Sequence, residues 1–121
     1  MNIRCITNNP LVIEKGLKNT EAVTGDTLSV LLAVKNYILN GHKLISHPLT
    51  SSIRPDISPY KSILLTNSAA SEVDSESLIL INNAVEYTKN LLKTHTIPVK
   101  WDKKSLEDFQ FIDMDIINNL I

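Results

Sequence analysis

The residues best placed to do chemistry lie around a strand that opens into a long polar loop. Lys43-Leu44-Ile45-Ser46 is apolar enough for a strand, and His47-Pro48-Leu49-Thr50-Ser51-Ser52-Ile53-Arg54-Pro55 follows it. Loops of this kind carry ligand sites in many α/β proteins. An imidazole at a strand end can bind a ligand or exchange a proton near neutral pH. The plainer role for His47 is a hydrogen bond to a nearby carbonyl. Arg54 can fork onto a carboxylate or phosphate, or it can sit solvated in the loop. Ser51 and Ser52 supply hydroxyl donors. No Gly-x-Ser-x-Gly elbow surrounds them and no third group is evident to orient a histidine, so a serine nucleophile lacks support. Lys61 adds a second positive charge. Asn8 and Asn9 precede Pro10 and stop the first strand, and their amides can also read a carboxylate edge. The expected ligand site is therefore Asn8, Asn9, His47, Ser51, Ser52, Arg54 and Lys61, and the chemistry is that of a small carboxylate or phosphate. No residue is assigned a catalytic role.

The elements that must position these groups read as alternating strands and helices. Ile3 to Thr7 is the first strand. Leu11 to Leu17 holds a turn of helix closed by Gly16, and Thr20 to Thr24 is a weaker strand. Asp26 can cap a helix whose Leu28, Leu31, Leu32, Ile38 and Leu39 share one face, and Asn40-Gly41 suits its end. Lys43 to Ser46 and Ser62 to Thr66 are further strands. Asp74 or Ser75 can cap a helix carrying Leu78, Ile81, Ala84, Val85, Thr88, Leu91 and Leu92. The tail is ambiguous. Ser105 with Asp108 looks like a helix cap, while Phe109-Gln110-Phe111-Ile112 alternates like an edge strand. The expectation is a short extended piece followed by a helix from Asp113. Asp102, Asp108, Asp113 and Asp115 read as solvated surface or caps.

The fold class that follows is α/β. It is one small domain, 1–121, with a mostly parallel sheet of about four strands covered by helices on both faces. Ligands in open sheets of this type sit beyond the carboxyl ends of the strands. The fourth strand would then deliver Thr66 and Asn67 to the same rim.

Composition narrows the function classes. The chain has 121 residues, 43% of them hydrophobic and 5% aromatic, with a formal net charge of -1. A basic field for nucleic acid is absent on average, and no nucleic-acid partner is expected. No apolar run approaches the length that spans a bilayer, and the first residues lack a secretory pattern, so a cytoplasmic protein with no membrane partner is expected. The one cysteine, Cys5, excludes an internal disulfide and reads as a buried strand thiol. Neither Gly-x-Gly-x-x-Gly nor a Walker loop is present, and His42 and His47 lack a third ligand at convincing spacing. No cofactor and no metal are expected. His42 reads as a surface residue, and His95 as a partner of a helix end. Trp101 reads as an anchor for the tail or as a partner contact.

Ile6-Thr7-Asn8-Asn9-Pro10-Leu11-Val12, Gly41-His42-Lys43-Leu44-Ile45-Ser46-His47-Pro48-Leu49, Pro59-Tyr60-Lys61-Ser62-Ile63 and Asp108-Phe109-Gln110-Phe111-Ile112-Asp113 together resemble the GrdX family. The resemblance covers nearly the whole chain. It implies a setting: the glycine, sarcosine and betaine reductase system of anaerobic amino-acid-fermenting bacteria. It carries no assigned activity and no catalytic residues. Two readings follow from it. One is an accessory protein that binds a small anionic ligand at the strand ends. The alternative is an interaction or assembly factor for a reductase component, contacting it through the loop from His47 to Lys61 and the tail around Trp101. A small enzyme using His47 as acid or base is a third and weaker reading.

Overall fold

The computed structural model describes residues 2–16, 19–49, 58–94 and 101–120. Its elements, in chain order, are β1 (Ile3–Thr7), α1 (Pro10–Lys15), β2 (Thr20–Ala22), α2 (Thr27–Leu39), β3 (Ser62–Thr66), α3 (Ser75–Thr94) and α4 (Lys103–Leu120). The strands form a three-stranded sheet of order β2-β1-β3. β1 and β2 are parallel, with Cys5 opposite Thr20 and Thr7 opposite Ala22. β3 runs antiparallel to β1, with Ile3 opposite Thr66 and Thr7 opposite Ser62. The α/β class stands, but the sheet is mixed, and among the described residues it has three strands rather than four.

The missing strand is the segment 43–46. It runs antiparallel to β3 through one isolated bridge, Leu44 to Leu65, with the Ile45 N–H donating to the Leu64 carbonyl and the Thr66 N–H to the Lys43 carbonyl, both at 2.9 Å. The pairing stops there because a side chain takes the next donor of β3, while Leu44 turns its own N–H away from the sheet. The Leu64 N–H donates to Ser46 Oγ at 2.9 Å, and the Leu44 N–H donates to Ser77 Oγ at 3.0 Å. Hydroxyls that satisfy backbone donors in this way compete with regular pairing.

Alternation along the strands sends side chains to two separate cores. Ile6, Ile63 and Leu65 pack with Val30, Leu31, Val34 and Ile38 of α2 and Ile81, Ala84 and Val85 of α3. Cys5 and Leu64 point the other way and pack with Val12 of α1 and Ile117 of α4. Both faces are thus covered, which is why these strands read as near-continuous apolar runs.

Local chemistry sets the helix ends. Asn9 caps α1 by accepting the Leu11 N–H at 3.0 Å, Pro10 opens the helix, and Gly16 closes it at φ 66°. Asp26 accepts the Ser29 N–H at 2.9 Å, and Asp74 accepts the Ser77 N–H at 3.0 Å. After α2 the chain turns through Gly41 at φ 104°, and the Gly41 carbonyl accepts the Ala70 N–H at 2.9 Å.

The tail departs from expectation. Residues 103–120 are one helix, and its cap is Asp102, which accepts the Ser105 N–H at 2.7 Å. Leu106, Phe109, Gln110, Asp113, Met114 and Ile117 form its inward face at helical spacing, all of them buried or half-buried. The alternation of Phe109 with Phe111 is incidental, since Phe111 is 60% exposed. Trp101 meets Phe109 edge-on with ring centroids 4.9 Å apart, so it braces the start of α4. Among the described residues no helix is long and apolar enough to cross a membrane.

Candidate functional site

Antiparallel β3 rearranges the rim. Its entry, Lys61 and Ser62, lies beside the end of β1. Its exit, Thr66 and Asn67, lies at the opposite end of the sheet, where the Asn67 N–H reaches the Asn2 carbonyl. Thr66 and Asn67 are therefore absent from the rim that a parallel strand would give them.

Asn8 is the latch of this rim. Its Nδ2 donates to the Pro59 carbonyl at 2.8 Å and to the Gly25 carbonyl at 3.0 Å, and its Oδ1 accepts the Lys61 N–H at 2.8 Å. One amide side chain thus ties the end of β1 to the turn before α2 and to the entry of β3. Asn9 is engaged just as fully. Besides capping α1 it donates from Nδ2 to the Gln110 carbonyl at 2.9 Å and to Asp113 Oδ2 at 3.0 Å. Both asparagines spend their amide groups on the fold.

Asp113 is the residue that sequence reasoning missed. It reads as surface because it is charged, yet α4 turns it toward the sheet. Ser62 Oγ donates to Asp113 Oδ2 at 2.6 Å. Thr7 Oγ1 lies 2.7 Å from Ser62 Oγ and accepts the Asn9 N–H at 2.9 Å. A serine hydroxyl has one proton, and here Asp113 receives it, so Thr7 donates to Ser62. The result is a directed chain from Thr7 through Ser62 to the carboxylate. Gln110 Nε2 extends the cluster by donating to the Tyr60 hydroxyl at 3.0 Å. The signal available in the sequence is position: Asp113 follows Phe109 and Gln110 on one helical face with Ile117.

Lys61 directly precedes Ser62 and is only 6% exposed. Asn8 holds its main chain on both sides, since the Asn8 N–H also approaches the Lys61 carbonyl at 3.4 Å. Among the described residues no acceptor lies within hydrogen-bond reach of its Nζ. Burial lowers the Lys61 pKa from 10.5 to about 8, and the nearby Asp113 charge resists that fall. The same two causes act on Cys5: burial, then the Asp113 charge, push its thiol up to about 12. The inert strand thiol expected from sequence is what the fold contains.

His47 is exposed, and its Nδ1 accepts the Leu49 N–H at 3.0 Å within its own turn. Ser51, Ser52 and Arg54 lie outside the described residues, as does His95. His42, expected at the surface, is buried at the other end of the sheet. Its Nδ1 lies 2.7 Å from the Thr66 carbonyl, and its ring meets Tyr37 edge-on at 5.1 Å. Tyr37 also carries the Arg4 guanidinium over its ring at 5.1 Å and hydrogen-bonds Glu21. Among the described residues no group of three or more His, Cys, Asp or Glu side chains could hold a metal ion.

A family model described as GrdX-like protein matches residues 4–121. The chain belongs to this family. The match runs from β1 through α4, so both halves of the polar rim fall within the GrdX-like region. No curated protein and no solved structure matches the chain.

Proposed function

We propose that this GrdX-like protein serves the glycine, sarcosine and betaine reductase system by holding a small carboxylate or phosphate at the rim beside Lys61. The observation that carries this reading is a lysine only 6% exposed beside the end of β1, whose charge burial disfavours. Burial weakens the charged form of this amine, and an arriving anion would favour it. Of the expected ligand set's described residues, Asn8 and Asn9 spend their amides on the fold and His47 is exposed, which leaves Lys61 as the buried cation of the rim. Arg54 and the Ser51–Ser52 hydroxyls are assigned to the same ligand on their chemistry alone.

The test is thermal stabilisation by inorganic phosphate, acetyl phosphate, glycine and betaine. Phosphate or acetyl phosphate should raise Tm in the native chain and in Arg54→Gln to different extents, and should not raise it in Lys61→Met. Equal stabilisation of the native chain and Lys61→Met would refute the assignment.

A second reading rests on α4. Phe111 is 60% exposed and Ile112 38% exposed on the helix that also carries Gln110 and Asp113. Exposed aromatic side chains are frequent anchors of protein interfaces. In this reading the helix docks a reductase component, and Phe111→Ser abolishes its recovery in a pull-down from cells fermenting glycine.

A further inference from the structure

The outer face of α4 carries an apolar pair set among carboxylates, a pattern that the fold itself does not use. We infer that this face docks a partner presenting an apolar pocket rimmed by lysine or arginine, with Phe111 and Ile112 entering the pocket. The inference rests on α4 docking a reductase component, and it names the chemistry of the surface that α4 meets.

Glu107, Asp108, Phe111, Ile112 and Asp115 share the side of α4 turned away from the sheet, and all five are exposed. The chain has two phenylalanines. Phe109 packs on Trp101 with ring centroids 4.9 Å apart, while Phe111 is turned to solvent with Ile112 beside it. An aromatic ring that adds nothing to either core is the type of side chain that fills a pocket on a partner.

The charges around this pair select the partner. Glu107 and Asp108 lie one turn before it, and Asp115 lies one turn after. From 105 to 121 the sequence has no lysine or arginine, and Lys104 is two turns before Phe111, beyond the carboxylates. Among the described residues none of these three carboxylates forms an ion pair. The charge order does not serve the helix either. Lys103 and Lys104 open α4, where its dipole disfavours cations, and its last turn has no basic residue. Apolar anchors inside a negative rim complement an apolar pocket inside a positive one. A second copy of the chain is the wrong occupant, because the same face on both subunits would set carboxylates against carboxylates.

The test is binding of the full chain to purified glycine reductase components, followed by biolayer interferometry in about 25 mM and about 250 mM NaCl. Affinity should fall about tenfold or more between the two salts, and Phe111→Ser should weaken it by about thirtyfold or more. Glu107→Gln, Asp108→Asn and Asp115→Asn combined should slow association about tenfold at low salt and flatten the salt dependence. All four positions face solvent, so the circular dichroism spectrum should stay native in both variants. Binding that needs Phe111 but ignores salt and the three neutralised carboxylates overturns the basic pocket and leaves the docking helix standing. Binding indifferent to Phe111→Ser, or no binding by any component, removes the docking helix and the inference with it. Sedimentation velocity checks the other occupant: a dimer of the native chain that is lost in Phe111→Ser would put a second copy on this face and overturn the inference.

Discussion

Asn9 Nδ2 donates to Asp113 Oδ2 at 3.0 Å across 104 residues of sequence. The same side chain caps α1 and holds the Gln110 carbonyl, so one asparagine joins the end of β1, the first helix and the last. Asn9→Ala should therefore cost about 2–4 kcal/mol, combining a lost cap with groups left unpaired in a half-buried cluster. Urea unfolding followed by circular dichroism gives the value. A loss under about 0.5 kcal/mol would mean that α4 does not depend on this contact.

Gly41 and Gly16 make a matched pair. Both hold positive φ, 104° and 66°. At Gly16 an added Cβ meets nothing closer than the Glu14 carbonyl oxygen at 3.9 Å, so Gly16→Ala should cost about 1 kcal/mol of backbone strain. At Gly41 a Cβ would collide with the Ala70 carbonyl, and the backbone bond between these residues would have to open. Gly41→Ala should be the more damaging by at least about 2 kcal/mol, seen as a lower Tm. Equal Tm values for the two variants would contradict the close approach.

Cys5 is 2% exposed, and burial followed by the Asp113 charge pushes its thiol up to about 12. The thiolate is the reactive form, so iodoacetamide at pH 8 should leave the native chain unmodified while alkylating it fully in guanidinium. The labelling rate should follow unfolding. Rapid alkylation in native buffer would show that the α4 face of the sheet opens freely.

Short-range features are legible in the sequence. Asp26, Asp74, Gly16 and Asn40-Gly41 all act where local windows place them, because a cap and its helix lie within four residues of each other. Helices covering both faces follow from the apolar continuity of Ile3 to Thr7 and Ser62 to Thr66. Strand direction is not legible. Periodicity is the same for either direction, so a parallel β3 puts Thr66 and Asn67 at the wrong end as readily as an antiparallel one puts them right. The segment 43–46 has strand composition and keeps backbone bonds to β3, but Ser46 Oγ takes the Leu64 N–H that a longer ladder would use, and a hydrophobic pattern does not register hydroxyl competition. Asp113 is hidden for a different reason. A carboxylate on an amphipathic helix reads as solvent-facing unless its partners are known, and those partners, Asn9 and Ser62, are remote in sequence. The sequence points to the end of β1 and the entry of β3, yet it does not show that Asn8 and Asn9 spend their amides on the fold there or that Lys61 is buried beside them.

Stability should carry the signature of Lys61 at alkaline pH. Its pKa is 10.5 when unfolded and about 8 when folded. Below pH 8 both states bind the proton, and the buried ammonium destabilises the fold by its full amount, about 3 kcal/mol. Between pH 8 and 10.5 the unfolded chain binds the proton and the folded chain does not. The unfolded state then holds more protons, so stability rises with pH through this window. Above pH 10.5 neither state is charged and the penalty is gone. Lys61→Met removes the ionisation altogether. The variant should be more stable than the native chain at pH 7, and the gap should close as pH rises from 8 to 10.5. Denaturant titrations of both proteins at half-unit intervals measure the gap directly. A gap that is flat across this range would mean that Lys61 keeps its proton in the fold. The desolvated cation that motivates the anion site beside Lys61 would then be lost.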